Sequence, residues 1–125
     1  MELNDAKRFL NQASYFDLRI KTKVEELEKL KELEKVQSEK FKVQRAEALQ
    51  EEIRMDIDSL VAQKQEIMQM IGQLSKPEYQ TVLELRYLRG WTIKRIAMNM
   101  HFTIYYVYEL HTNALKEFSS IIKSS

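Results

Sequence analysis

From Leu3 to about residue 36, apolar side chains recur with near-heptad spacing. Leu3, Leu10 and Val24 fall at multiples of seven, and Ala6, Ala13, Ile20 and Leu27 follow three residues later. These are the a and d positions of a coiled-coil seam, widened by Phe9, Phe16 and Leu30 at g. The intervening residues, among them Glu25, Glu28, Lys29, Glu32 and Lys35, form a solvated face. A second series covers about 43–74: Ala46, Ile53, Leu60, Ile67 and Leu74, with Val43, Ile57 and Ile71 in the other seam position. Ala6 and Ala46 lie 40 residues apart, five more than a whole number of heptads, so the two series are out of phase. That shift predicts a break near 37–42. The result is an antiparallel helical hairpin with arms of roughly 30 residues, ~45 Å long.

Asp17 and Lys64 interrupt the seam at a positions. Pairing Ala13 with Ile71 and Val24 with Leu60 places them in adjacent layers, where they can meet and fix register. Two helices alone bury little, so the stripe needs the C-terminal half or a second copy to cover it. A homodimer through residues 1–74 is therefore expected.

The pattern changes at Ser75. Ser75-Lys76-Pro77-Glu78 reads as a capping box, with Ser75 at N-cap and Pro77 in the first turn. The helix it opens carries Val82, Leu83, Leu85, Tyr87 and Leu88, and Gly90 ends it. Thr92 caps a short helix holding Ile93, Ile96, Ala97 and Met100. After His101-Phe102, Thr103 caps a last helix with Val107, Leu110, Ala114, Leu115 and Phe118 facing inward, joined by Ile121 and Ile122. Two helices joined by so short a turn follow the helix-turn-helix plan. The expected domains are a hairpin arm at 1–74 and a helix-turn-helix domain at 75–125.

Composition narrows the picture. Two Gly and one Pro in 125 residues are too few for a turn-rich sheet fold, so the class is all-α. With no Cys and two His, neither a disulfide frame nor a zinc site is expected, and no cofactor is implied. The net charge of +1 conceals an asymmetry. Residues 1–74 hold 13 basic and 15 acidic side chains; residues 75–125 hold 7 and 4. No P-loop, HExxH or nucleophile-base pattern is present, so an enzyme is not expected. The absence of an 18-residue apolar run excludes a membrane span, and MELNDAKR is no secretory signal. A cytoplasmic location follows as the default.

The candidate chemistry lies in the C-terminal domain. A helix-turn-helix needs a small residue where its helices cross, which Ala97 supplies, and an inward apolar residue early in the second helix, which Val107 supplies. Its outward face must reach bases and phosphates. That face offers Tyr105, Tyr106, Tyr108, Glu109 and Thr112, with His111 and Asn113 on its flank. Arg86, Arg89, Lys94, Arg95 and Lys116 are placed for backbone contact, and Thr103 opens the reading helix. The helix N-termini can also receive phosphate oxygens. Three tyrosines at 105, 106 and 108 cannot share one direction, so at least one is expected to pack its ring against the first helix of the domain. Trp91 reads as a lid over the core, His111 as a hydrogen-bonded core-edge residue, and Arg86 as a partner for Glu109 or Glu117.

The segment Leu83–Leu115 resembles region 4 of bacterial sigma factors. The match runs through Arg86-Tyr87-Leu88, Gly90, Ile96-Ala97, Thr103, Val107 and Ala114-Leu115. Over nearly its full length the chain more closely resembles phage and prophage regulators of the ArpU and RinA type. Phe9-Leu10-Asn11-Gln12-Ala13, Arg19-Ile20, Glu26-Leu27-Glu28, Glu84-Leu85-Arg86-Tyr87-Leu88 and Tyr106-Val107-Tyr108 carry that likeness. The chain departs from the pattern at His101, where the turn often has Gly, and at Arg95, where Glu often precedes Ile96. The resemblance implies a sequence-specific regulator of phage late genes in a bacterial host cell. Double-stranded DNA is its expected partner, with RNA polymerase a second one through the arm. Two alternatives stand beside it. One is a module binding polymerase or another regulator without DNA contact; the other is a small DNA-packaging subunit.

Overall fold

The computed structural model describes residues 2–36 and 40–124. Among the described residues the chain is all-α. Its elements are α1 (Glu2–Ala13), α2 (Phe16–Val36), α3 (Lys40–Gly72), α4 (Pro77–Leu83) continued by a π-helical turn (Glu84–Leu88), α5 (Ile93–Met100) and α6 (Ile104–Ser124). The expected break at 37–42 is narrower than the spacing suggested: α3 starts at Lys40, so residues 40–42 are helical, whereas residues 37–39 and the side chain of Val43 lie outside the described residues.

The first arm is not one helix. It is interrupted at Ser14-Tyr15, where no Gly or Pro signals a stop. The Ser14 hydroxyl donates to the Asn11 carbonyl at 2.8 Å, and the Tyr15 N–H reaches the Gln12 carbonyl at 3.3 Å, an i−3 bond. Both contacts substitute for the regular ladder, as short polar side chains commonly do.

The compact units also divide differently from the boundary expected after residue 74. One comprises Met1–Tyr15 and Gln65–Ser125, the other Phe16–Lys64. The reason is the destination of the first apolar stripe. Ala6, Leu10 and Ala13 are buried, and the Phe9 ring lies 6.0 Å from that of Phe118 on α6. The α1 stripe thus helps build the C-terminal core rather than extending the arm.

Within Phe16–Lys64, the contacts between α2 and α3 step up one helix as they step down the other. Asp17 meets Lys64 at 2.5 Å, Lys23 meets Asp56 at 3.4 Å, and the Gln50 amide donates to Glu34 at 2.7 Å. That is the order of an antiparallel pairing, with Asp17 and Lys64 in contact. These ionic side chains are part-exposed, so each pair is worth at most ~1 kcal/mol and acts chiefly on register. The seam positions Ile53 and Leu60 are buried, whereas Val24 is exposed. Gln50 occupies a seam position unremarked by the apolar spacing, and it is buried with its amide satisfied by Glu34.

In the other unit, Ile67, Met70, Ile71 and Leu74 are buried together with Val82, Leu83, Ile96, Val107, Leu110, Ala114, Leu115 and Phe118. The capping box does not form. Lys76 is the N-cap of α4, without a side-chain hydrogen bond, and Pro77 is its first helical residue. Ser75 turns instead to α6. Both its N–H and its hydroxyl donate to the Glu117 carboxylate. The end of α3 is closed by the Gln80 amide, which donates to the carbonyls of Gly72 (3.2 Å) and Leu74 (2.9 Å).

Candidate functional site

The site is built on α5, the three residues 101–103, and α6. Its geometry starts at the end of the preceding helix. There the Arg89 N–H bonds to the Glu84 carbonyl five residues back, the spacing of a π turn. Gly90 follows with φ +71°, a value that glycine adopts without steric cost. The chain then reverses, and the Trp91 N–H closes onto the Leu85 carbonyl at 3.0 Å. Thr92 caps α5, its hydroxyl accepting the Arg95 N–H at 3.1 Å.

Ile93, Ile96 and Ala97 are buried in the core. His101 ends α5 in the left-handed conformation (φ 60°, ψ 39°), the role more often given to Gly. The Phe102 N–H then returns to the Ala97 carbonyl at 3.0 Å. Thr103 caps α6 by accepting the Tyr106 N–H at 3.1 Å. The Thr103 hydroxyl is therefore engaged in capping.

The α6 helix has two distinct faces. Val107, Leu110, His111, Ala114, Leu115 and Phe118 are buried. Tyr105, Glu109, Thr112 and Lys116 are exposed at i, i+4, i+7 and i+11, which is one straight helical stripe. Tyr105 is the most open residue of the stripe at 87%, and Tyr108 lies beside it, also exposed. Tyr106 is exposed as well, so none of the three tyrosines is buried as the spacing had suggested. The Tyr106 ring meets Phe102 edge-on at 4.8 Å.

Arg89, Lys94 and Arg95 are exposed around the start of α5. Arg95 is engaged with a neighbour that its sequence position did not reveal. Its guanidinium carbon lies 3.9 Å from the centre of the Trp91 ring. Trp91 is half-buried, and its carbonyl accepts from Arg86 Nη1 at 3.0 Å. Arg86 therefore pairs with a backbone carbonyl, not with Glu109 or Glu117.

Beneath the exposed stripe lies a buried polar pair. The Tyr87 hydroxyl and His111 Nε2 are 2.7 Å apart, with the rings stacked at 5.7 Å. Burial pushes the Tyr87 hydroxyl up to about 12 from 10.0, opposed by the nearby Arg86 charge. Burial, then the charges of Lys7 and Arg86, push His111 down to about 4 from 6.5. His111 is thus a neutral, hydrogen-bonded core residue. Among the described residues no group of His, Asp or Glu is placed to hold a metal ion, and no helix is long and apolar enough to cross a membrane.

Fold and site together define a helical protein whose C-terminal helix pair presents one polar and aromatic stripe over a continuous core. The chain belongs to the family described as "Protein of unknown function (DUF1492)", which matches residues 34–119. No curated protein and no solved structure matches the chain.

Proposed function

We propose that this protein is a sequence-specific DNA-binding transcriptional regulator, with α5 and α6 as its helix-turn-helix and α6 as the reading helix. The observation that carries the reading is the stripe Tyr105, Glu109, Thr112 and Lys116, exposed on a helix whose opposite face is wholly engaged in the core. Such a helix can enter a major groove without disturbing the fold. Glu109 and Thr112 are side chains that hydrogen-bond base edges, and tyrosine rings can meet thymine methyl groups. Lys94 and Arg95 at the start of α5, with Arg89 just before it, supply the charge that backbone contact requires. The resemblance to ArpU- and RinA-type regulators extends the proposal to phage late genes, to a homodimer through residues 1–74 and to contact with RNA polymerase.

One observation favours a second reading, a protein-interaction module. Met98 (68% exposed) on α5 and Ile104, Tyr105 and Tyr108 in the first turns of α6 are exposed apolar or aromatic side chains on the two helices of the site. Gel shifts titrated with salt separate the two readings. For a DNA reader, Lys94→Ala weakens binding to all duplexes and lowers the salt slope by about 0.9. Tyr105→Ala leaves that slope nearly unchanged and reduces the preference for the cognate site over unrelated DNA. Equal losses on every duplex for both variants contradict the assignment. No shift at any salt leaves the protein-interaction reading.

A further inference from the structure

We propose that Trp91 is a positioning residue that holds the Arg95 guanidinium ready for a backbone phosphate of duplex DNA. This rests on the DNA-binding reading and goes beyond it, because it gives Trp91, which is outside the proposed set of contact residues, a part in binding. Both partners are firmly set. Trp91 is fixed through its backbone: the reversal at Gly90, its N–H on the Leu85 carbonyl, and its own carbonyl under Arg86 Nη1. Arg95 starts from an equally fixed point, with its N–H on the Thr92 hydroxyl in the first turn of α5.

The two side chains then meet face on, the guanidinium carbon 3.9 Å from the ring centre. A guanidinium held over an indole face is attracted by the ring and still carries several N–H groups that can bond to an anion. Arg95 is exposed, so those groups are accessible. A free arginine side chain loses much rotamer freedom when it binds a phosphate. Here the stack restricts it beforehand, and binding is stronger for that reason.

An ordinary surface stack predicts something different, namely that Arg95 serves only to cover Trp91. The two cases separate in a double-mutant comparison. Duplexes are first selected by wild-type protein from random fragments. The recovered duplex is then titrated at several salt concentrations with Arg95→Ala, Trp91→Leu, the double variant and Trp91→Phe.

The expected result is an affinity loss of about fivefold for Arg95→Ala and for Trp91→Leu. Each also lowers the salt slope by about 0.9. The double variant is no worse than either single one, and Trp91→Phe recovers part of the loss. Arg95→Lys, a surface change that keeps the charge, is expected to lose most of the affinity that Arg95→Ala loses. It serves as the test should Trp91→Leu lose helicity by circular dichroism. Wild-type affinity and slope in Trp91→Leu, additive losses in the double variant, or wild-type affinity in Arg95→Lys overturns the proposal while leaving DNA binding intact. Failure of the wild-type protein to retain any duplex overturns the DNA-binding reading, and this inference with it.

Discussion

Phe118→Ala is expected to destabilise the protein by about 3–5 kcal/mol, the range for removing a fully buried aromatic ring. Phe118 has no exposed surface, and its ring meets Phe9 at 6.0 Å with the planes tilted by 49°. Its removal takes apolar area out of the core and leaves a cavity that helices set by backbone hydrogen bonds cannot fully close. The effect reaches further than one helix, because Phe118 is where α6 receives α1. Urea unfolding followed by circular dichroism checks the size, as a fall in midpoint. Hydrogen exchange checks the location, as faster exchange across Ala6–Ala13. Thr112→Ala on the exposed stripe of the same helix is the control, and it is expected to stay within about 0.5 kcal/mol. A loss below about 1 kcal/mol for Phe118→Ala contradicts the packing of α1 on α6.

The second large effect is a stability plateau bounded on both sides by one buried pair. His111 takes up a proton at 6.5 when unfolded but only at about 4 when folded. Below pH 6.5 the unfolded state therefore binds more protons, and stability falls as the pH drops towards 4. With solvent screening discounted, the loss is about 2 kcal/mol. Tyr87 works at the other end. Its hydroxyl ionises at 10.0 when unfolded and at about 12 when folded, so stability is lost as the pH rises from 10 towards 12. The expected urea midpoint is flat between about pH 6.5 and 10 and declines outside it. The difference between wild type and His111→Gln isolates the acid limb, and Tyr87→Phe isolates the alkaline one. A pH-independent difference between wild type and His111→Gln from pH 7 to 4.5 contradicts the account.

The elements legible in the sequence were those set by local chemistry. The series Ile53, Leu60 and Ile67 is buried because a period of seven places those residues on one face of α3, whereas Leu74, also buried, lies past the end of that helix. Thr92 and Thr103 cap their helices because a threonine hydroxyl reaches the N–H three residues on. Gly90 takes positive φ where the helix ends. Asp17 and Lys64 meet because two charges in one seam have few other partners. What stayed hidden depends on which element arrives from far along the chain. Ser75 had the spacing of a capping residue, but Glu117 from α6 takes both its donors. Ala6 and Leu10 fitted the arm's heptads equally well as a stripe for α6. Arg95 was readable as a charge near a helix start, but four residues of separation across a helix boundary did not disclose its stack on Trp91. The candidate site divides in the same way. Tyr105, Glu109, Thr112 and Lys116 follow from helical periodicity, whereas the contact of Tyr106 with Phe102 depends on the tertiary path of the connection.

The central claim is that the outward stripe of α6 reads base sequence. Selection of bound duplexes from random fragments by the full chain, followed by sequencing, tests it most directly. One sequence is expected to be enriched, arranged with two-fold symmetry if the chain pairs through residues 1–74, with its enrichment falling sharply for Tyr105→Ala. Bound fragments indistinguishable from the input pool would contradict it.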